Sequence, residues 1–249
     1  MEIIAHRGAS FDAPENTLAA VRAAWGQRAD AVEADFQLTA DGQLVALHDD
    51  DLWRTAGVRA RVGEKTLAEL QGLDVGRWKG ARWRGEPIAT LAQMLATIPP
   101  GKRFLIEIKA AEAAVPELCR VVRAASCAAA QIVIISLDGK TCAAAKRALP
   151  DCAVYWVVDF AFDPATNCWT PSGEAMIADA LAAGLDGLDL QGSGPIDAAL
   201  IAAIRAAGLA LCVWTIDDPN LARRLLELGV QGITTNRPGW LRQQLNRGN

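Results

Sequence analysis

The sequence is poor in several features that define particular classes of protein. Only two of its 249 residues are histidine, and none of its six cysteines belongs to a C-x-x-C pair. Scattered cysteines in apolar stretches indicate free thiols in a reducing compartment, not a zinc or disulfide framework. No apolar run reaches the roughly 18 residues of a membrane-spanning helix. The five residues before the first histidine are too few for a signal peptide, so we predict a soluble, cytoplasmic protein.

An excess of charge of one sign is also missing. The chain has 25 basic and 29 acidic residues, for a net charge of −4. This balance gives no general attraction to nucleic acid or to an anionic membrane, so we expect a small-molecule partner. A basic and aromatic run at 77–84 is more typical of a solvated lid surface than of a nucleic-acid site. The oligomeric state is not determined by these features.

Residues 30–49 concentrate the polar side chains that suggest a site. Glu33 and Asp35 alternate with apolar residues, so both carboxylates leave one face of a predicted strand. Asp41-Gly42 is typical of a two-residue hairpin turn. Such a turn would place His48, on the returning strand, directly opposite Asp35.

The remaining chain alternates apolar strands with helices, which predicts a parallel sheet covered on both faces. Three times a helix is followed by a glycine and a buried strand, at 181–190, 206–214 and 227–235. The predicted strands are 2–5, 31–37, 104–109, 132–136, 153–158, 185–190, 209–214 and 231–235. Eight βα units in this length predict an α/β fold of the closed (β/α)₈, or TIM-barrel, type. An open doubly wound sheet is the alternative, but no G-x-G-x-x-G loop follows the first strand.

Residues 50–89 interrupt this alternation. They hold three tryptophans and a single short helical stretch near 66–70. We predict that they form a small cap inserted after the second strand, within one catalytic domain over residues 1–249.

Functional groups of such a barrel gather at the carboxyl ends of its strands. Both histidines fall there, and so do two cations, three carboxylates and a tryptophan: His6, His48, Arg7, Lys109, Glu33, Asp35, Glu107 and Trp214. The three carboxylates are hard oxygen donors that suit Mg²⁺ or Ca²⁺. The cations suit a phosphate-like anion, and histidine exchanges protons near neutral pH. Together they indicate cleavage of a phosphate ester.

Longer motifs strengthen this interpretation. The stretches A-H-R-G-A-S, A-P-E-N-T-L-A-A, E-A-D-F-Q-L-T-A-D-G-Q-L-V-A-L-H-D-D-D-L-W-R-T, E-I-K at 107–109 and V-W-T-I-D-D at 213–218 resemble the glycerophosphodiester phosphodiesterase family. The resemblance extends over essentially the whole chain. It implies hydrolysis of glycerophosphodiesters to glycerol 3-phosphate and an alcohol.

The same resemblance implies a role for each of these residues. It assigns metal ligation to Glu33, Asp35 and Glu107, and acid–base catalysis to His6 and His48. It assigns phosphate contacts to Arg7 and Lys109, and it places Trp214 against the glycerol. Because His6 lies next to Arg7, we expect it to be the base and His48 the acid. The attacking group is either water or the glycerol 2-hydroxyl.

Several alternatives remain open from the sequence. Arg7 could instead form an ion pair with Glu15, and Trp214 could be a core residue. The activity could be that of a lysophospholipase D or a phospholipase C-like enzyme on a lipid phosphodiester. A binding or regulatory barrel without turnover is disfavoured, because both histidines and all three carboxylates are present.

Overall fold

A computed structural model describes residues 1–247, so the predicted domain extends two residues beyond this range. Within this range the chain forms eleven strands: β1 (Glu2–Ala5), β2 (Ala31–Leu38), β3 (Leu44–Ala46), β4 (Arg103–Ile108), β5 (Ile132–Ser136), β6 (Ala153–Val158), β7 (Ala161–Asp163), β8 (Cys168–Thr170), β9 (Gly187–Gln191), β10 (Ala210–Trp214) and β11 (Gly232–Thr235). Eight of them pair in parallel in the order β1-β11-β10-β9-β6-β5-β4-β2, and β1 also pairs with β2. This last pairing closes the sheet, which confirms the predicted (β/α)₈ barrel.

The helices follow the strands, as in the predicted βα units. They are α1 (Leu18–Gly26), α2 (Trp53–Ala56), α3 (Leu67–Gln71), α4 (Leu91–Leu95), α5 (Val115–Ala124), α6 (Gly139–Ala148), α7 (Gly173–Ala182), α8 (Ala198–Ala206), α9 (Pro219–Leu228) and α10 (Pro238–Asn246). The Thr17 side chain caps α1 by accepting from the Ala20 N–H at 3.2 Å. Gly184, Gly208 and Gly229 adopt positive φ after three of the helices, as the repeated helix–glycine–strand pattern predicts.

Alternation along the strands divides the apolar residues between two cores. The larger core lies between the barrel and its helices, and Ile106 and Ile108 of β4 belong to it. The smaller core fills the barrel interior and includes Leu105 and Cys212. Residues of one strand therefore point alternately outward and inward. Glu107, one residue from Ile106 and Ile108, faces the interior at the carboxyl end of β4.

Residues 50–89 form a layer of their own. Short helical segments, α2, α3 and 3₁₀ turns at Val62–Glu64, Arg77–Lys79 and Ala81–Trp83, replace the regular alternation. Seven buried residues make a third apolar cluster, which joins this layer to the hairpin strand β3: Val45, Leu47, Leu52, Val62, Leu70, Val75 and Ile88. The insertion therefore has a small core that is separate from those of the barrel.

The predicted two-residue turn at Asp41-Gly42 is wrong. β3 pairs with β2 so that Phe36 lies opposite Ala46, and the Thr39 N–H donates to the Gln43 carbonyl at 2.9 Å. The loop therefore contains residues 40–42, with φ of +74° at Gly42. The extra loop residue shifts the expected register by one position, because a turn fixes the pairing of the strands that it joins.

Candidate active site

Three carboxylates meet at the carboxyl ends of β2 and β4. Asp35 lies beside Glu107 in the parallel register, and Glu33 precedes Asp35 on the same face of β2. One oxygen from each of these residues lies within 4.8 Å of the other two. All three side chains are buried, so like charges are held together away from solvent. Such an arrangement is costly unless cations or protons compensate it.

Two cations, Arg7 and Lys109, compensate only part of this charge. Arg7 Nε and Lys109 Nζ each lie 3.1 Å from an oxygen of Asp35, and Lys109 Nζ also contacts Glu107. Burial opposes ionisation of Asp35, but the two cations outweigh it and lower the pKa of Asp35 to about 2. Burial and the neighbouring carboxylates raise the pKa of Glu33 well above its ordinary value and that of Glu107 to about 7.

Arg7 forms both of the contacts considered from the sequence. Its Nη1 lies 2.9 Å from Glu15, while its Nε faces Asp35. The chain turns sharply after Arg7 at Gly8, whose φ is +78°. A Cβ on Gly8 would lie 2.5 Å from the carbonyl carbon of Ala20 in α1, so this close approach requires glycine.

Asn16 is a site residue that was not among those predicted from the sequence. Its Nδ2 donates to Asp35 Oδ2 at 2.8 Å, and its Oδ1 accepts from the Asp35 N–H at 3.1 Å. Asn16 is 2 % exposed and adopts a φ of +57°. This two-way contact fixes the orientation of the Asp35 carboxylate. The asparagine of the A-P-E-N-T motif was the sequence signal for this role, because asparagine adopts a positive φ more readily than most residues.

His6 is oriented by residues at the ends of β10 and β11. Asn236 Nδ2 donates to Asp217 at 2.7 Å, which directs Asn236 Oδ1 toward His6 Nδ1, 2.8 Å away. His6 Nδ1 therefore carries the proton in the neutral ring, and Nε2 keeps a free lone pair. Burial and the charge of Arg7 lower the pKa of His6, so the neutral form is favoured.

His48 reaches the same region by a different route from the one predicted. It follows the end of β3, and the Leu47 N–H, not His48, pairs with the Asp35 carbonyl at 3.0 Å. Asp49 Oδ1 lies 2.8 Å from His48 Nδ1, and Arg54 Nε donates to the other oxygen of Asp49 at 2.6 Å. Asp49, held in place by Arg54 of the insertion, thus orients His48.

A cavity of about 230 Å³ joins these groups. It is lined by both histidines, both cations, Glu33, Glu107 and Trp214, together with Ile135, Leu137, Val157, Asp159, Asp189 and Thr234. Asp35 lies behind this lining, in contact with the two cations. The structure therefore brings together every predicted site residue, and it adds Asp159, Asp189 and Thr234.

Two properties of the carboxylates fit a divalent cation: the chemistry of their oxygens, and a buried oxygen without a hydrogen-bond partner. Glu33 Oε1 is buried and has no hydrogen-bond partner within residues 1–247. An orphaned buried carboxylate oxygen is costly, and a coordinated cation would satisfy it. Carboxylate oxygens are the preferred ligands of Mg²⁺ and Ca²⁺. The set could hold such an ion without rearrangement of the backbone.

Comparison with known proteins agrees with this geometry. The sequence profile of the glycerophosphoryl diester phosphodiesterase family matches residues 6–240. The chain belongs to this family. It is a phosphoric diester hydrolase with a TIM-barrel fold, as the resemblance of its motifs indicates.

The similarity extends over whole chains. YhdW of Bacillus subtilis, named as a candidate glycerophosphodiester phosphodiesterase, is 31 % identical over 243 residues, which cover 97 % of this chain and 96 % of YhdW. An Oleispira antarctica phosphodiesterase, solved with the product sn-glycerol-3-phosphate, superposes with a TM-score of 0.88 at 29 % identity and covers 99 % of this chain and 97 % of its own. A glycerophosphodiester phosphodiesterase from Agrobacterium tumefaciens gives 0.75 at 26 % identity, with 97 % and 98 % coverage.

Two further observations concern the cysteines and the helices. All six cysteines are free thiols in the structure. Within residues 1–247, no helix is both long and apolar enough to span a membrane.

Proposed function

We propose that this enzyme uses a divalent cation, Mg²⁺ or Ca²⁺, and two histidines to hydrolyse glycerophosphodiesters to glycerol 3-phosphate and an alcohol. The observation that carries this proposal is the convergence of both histidines of the chain on one cavity with the carboxylate cluster. The product bound to the Oleispira antarctica relative supports the choice of substrate. The small cavity suits a soluble diester better than a buried acyl chain.

Glu33, Asp35 and Glu107 would hold the cation. When bound, the cation supplies positive charge that stabilises the charge developing on the phosphoryl oxygens. Arg7 and Lys109 already contribute fixed positive charge beside the cluster. They are the phosphate-binding residues of this proposal, because guanidinium and ammonium groups form charge-assisted hydrogen bonds with phosphate oxygens.

Trp214 lies against the glycerol in this proposal. It lines the cavity and is only partly buried, so part of its ring is available to a ligand. Its indole N–H donates to the Asp189 carbonyl at 3.1 Å. This hydrogen bond fixes the ring as one wall of the cavity.

His6 is the general base of the proposed reaction. Its neutral form is favoured, and Nε2 is left free by the contact with Asn236. His48 is the general acid of this proposal: Asp49 contacts its Nδ1 and orients the ring, and its Nε2 would deliver a proton to the leaving alcohol. A bond from phosphorus to the attacking oxygen forms as the bond to the alcohol breaks.

The insertion and the cellular location complete the proposal. Residues 1–249 act as one catalytic domain, with residues 50–89 as a cap on the side from which the alcohol leaves. Contacts between Arg54 and both Asp49 and Glu15 support this placement. Free thiols, five of which are at least partly buried, support a cytoplasmic location.

A substrate comparison tests the proposed activity. Release of glycerol 3-phosphate from glycerophosphocholine and of choline from lysophosphatidylcholine should be measured with Mg²⁺, with Ca²⁺ and with EDTA. We expect metal-dependent turnover of glycerophosphocholine and at least about tenfold lower kcat/KM for the lysolipid. A preference for the lysolipid would favour lysophospholipase D instead, and equal rates in EDTA would contradict the role of the cation.

Substrates with different leaving groups test the two histidines. An activated phenol needs no protonation to leave, so His48→Ala should keep its rate on such a diester while His6→Ala loses it. The reverse result would exchange the two roles. An analogue that lacks the glycerol 2-hydroxyl identifies the attacking group. The analogue is still cleaved if water attacks, and it is not cleaved if that hydroxyl attacks.

A further inference from the structure

The carboxyl group of Asp189 has no role in the proposed chemistry, yet it lines the cavity. Asp189 is 2 % exposed, and its side chain makes no hydrogen bond or ion pair within the part of the chain that the structure describes. Thr234, which lines the same cavity, is 1 % exposed, and its Oγ1 is also without a partner there. Two buried polar groups that line one cavity and lack protein partners call for a ligand that satisfies them.

Asp189 lies across the barrel from the carboxylate cluster, and Thr234 of β11 lies between them, two strands from β9 and two from β2. In the strand order, β9 is four strands from β2 in either direction. Asp189 lies level with Cys212 of β10, which in turn lies level with Gly232 of β11, and Thr234 follows two residues later. A substrate whose phosphate contacts Arg7 and Lys109 would therefore extend its organic part toward Asp189 and Thr234.

The surroundings of Asp189 decide what kind of group it receives. Val157 of β6 lies level with Asp189, the Trp214 indole N–H donates to the Asp189 backbone carbonyl, and the charged group that affects the Asp189 carboxyl is the like-charged Glu107. Burial, with a contribution from Glu107, raises the pKa of Asp189 to about 8. A second phosphate is unsuitable, because within residues 1–247 no cation contacts the Asp189 carboxyl to offset the negative charge of such a ligand. A quaternary ammonium is also a poor match, because it has no hydrogen-bond donor and is bound by cages of several aromatic rings.

We propose that Asp189 and Thr234 form a polyol subsite that binds the free hydroxyls of the substrate's glycerol group. The carboxyl of Asp189 accepts a hydrogen bond from one hydroxyl, and Thr234 Oγ1 can donate or accept with the other. This inference rests on the proposed function and adds the part of the substrate that the enzyme selects. Trp214 would bind the carbon chain between the two ends.

Such a subsite predicts discrimination against substrates without hydroxyls. When the ligand cannot pair with a buried polar group, that group loses its water and gains nothing in return. Removal of the Asp189 carboxyl therefore weakens the binding of glycerol 3-phosphate, but not the binding of ligands that never contacted the carboxyl. Selectivity between matched ligands is therefore a readout that a merely structural role of Asp189 would not change.

The test compares glycerol 3-phosphate with n-propyl phosphate, which has the same length and no hydroxyl. Binding of both to the metal-loaded enzyme should be measured by calorimetry for the wild type, Asp189→Leu, Asp189→Asn and Thr234→Val. We expect the wild type to prefer glycerol 3-phosphate by about 10- to 100-fold. Asp189→Leu should remove most of this preference without weakening the binding of n-propyl phosphate. Thr234→Val should reduce the preference by a smaller factor.

Control variants keep the test decisive. Asp151→Asn changes an exposed aspartate that lies outside the cavity, and it should leave the preference unchanged. If Asp189→Leu does not fold, the nearly isosteric Asp189→Asn should still lower the preference. Full preference in a folded Asp189 variant would overturn the subsite.

A second pair of substrates excludes a site for the leaving group. If Asp189→Leu slowed the hydrolysis of glycerophosphocholine but not that of glycerophosphoglycerol, Asp189 would bind the cationic alcohol, and the inference would be wrong. Equal slowing of the hydrolysis of both diesters supports the polyol subsite. A wild type that neither hydrolyses these diesters nor binds glycerol 3-phosphate would contradict the proposed function itself, a result distinct from loss of the subsite alone.

Discussion

The two ends of the barrel treat buried and half-buried charge in opposite ways. At the amino end, each of three acidic residues that precede or begin a strand has a cationic partner. Glu2 pairs with Arg103, Asp30 with Lys102 and Arg242, and Asp186 with Lys146. At the carboxyl end, Glu33 and Asp189 each keep a buried oxygen without a hydrogen-bond partner in residues 1–247.

This difference separates residues that stabilise the fold from residues that serve the site. A paired charge at the amino end lowers the free energy of the folded state, although modestly where solvent reaches it. The carboxylates at the other end repel one another, and the folded state tolerates them because many other contacts hold β2 and β4 in place. The difference predicts that substitutions at the two ends affect different properties.

Removal of the cation should have the largest effect. In excess EDTA we expect activity to fall to background, because the proposed cation would neutralise charge that Arg7 and Lys109 compensate only in part. Addition of Mg²⁺ or Ca²⁺ should restore activity and raise the free energy of unfolding by about 2.7 kcal/mol at 100 times Kd. Kinetics and thermal unfolding with and without metal measure both quantities. Full turnover in EDTA would disprove the metal assignment.

Substitution of one carboxylate should separate activity from stability most clearly. Glu107→Gln should lower kcat/KM by about 10³-fold, since it removes a ligand and a negative charge at once. Its melting temperature in EDTA should not fall, because the variant loses a repulsion with Asp35. Glu117→Gln, on the outside of α5 where Glu117 pairs with Arg120, is the matched control and should keep full activity. A destabilised but active Glu107→Gln would be inconsistent with the comparison.

A substitution at the amino end should give the reverse result. Arg103 contacts Glu2 and the hydroxyl of Tyr155, and the side chains of the ion pair are 31 % and 17 % exposed. Arg103→Met should lower the free energy of unfolding by about 1–3 kcal/mol, less than for a fully buried pair, while kcat/KM stays unchanged. Urea denaturation measures the first quantity. The double variant Glu2→Gln with Arg103→Met should recover part of the loss, because no unpaired charge remains.

The pH dependence of stability gives a smaller effect with a defined sign. Burial opposes ionisation of Asp30, but the Ile3 N–H, Arg242 and Lys102 outweigh it and lower its pKa. A carboxyl with a lowered pKa stabilises the folded state above its unfolded pKa, which is about 3.9, and this stabilisation disappears as the pH falls through the folded value. The difference in melting temperature between wild type and Asp30→Asn should therefore be constant from pH 7 to 5 and shrink toward pH 3. A difference that grows on acidification would contradict the ion pairs.

Trimming the cap should have the smallest effect on stability. The Val75 N–H donates to the Glu86 carbonyl at 2.9 Å, so the ends of the 77–84 segment are already close together. Replacing this segment with a short Gly-Ser linker should change the preference among glycerophosphodiesters by about 3- to 10-fold, since Lys79 and Arg82 contact the loop that follows β1. A Gly-Ser replacement of equal length separates loss of side chains from loss of length. Unchanged preference with a large fall in melting temperature would identify the segment as structural support.

The sequence by itself determined the barrel and the composition of the site. Apolar strands alternate with capped helices along most of the chain, and this local pattern is sufficient to place all eight barrel strands. The parallel arrangement then fixes which ends of the strands meet. His6, Glu33, Asp35 and Glu107 could be assigned because each follows or ends a recognisable strand, and strand periodicity determines the side on which each lies.

Only the tertiary structure decided the contacts between segments that are distant in the chain. The register of the hairpin depended on one loop residue, and the orientation of His48 depended on its contact with Asp49, which Arg54 holds in place. The roles of Asn16 and Asn236 were hidden because their partners lie 19 and 230 residues away. Asp189 could not be distinguished from a paired aspartate, since a local pattern carries no information about which partners are absent. Pairing, burial and electrostatic interaction arise only when the barrel closes and brings β9 opposite β2.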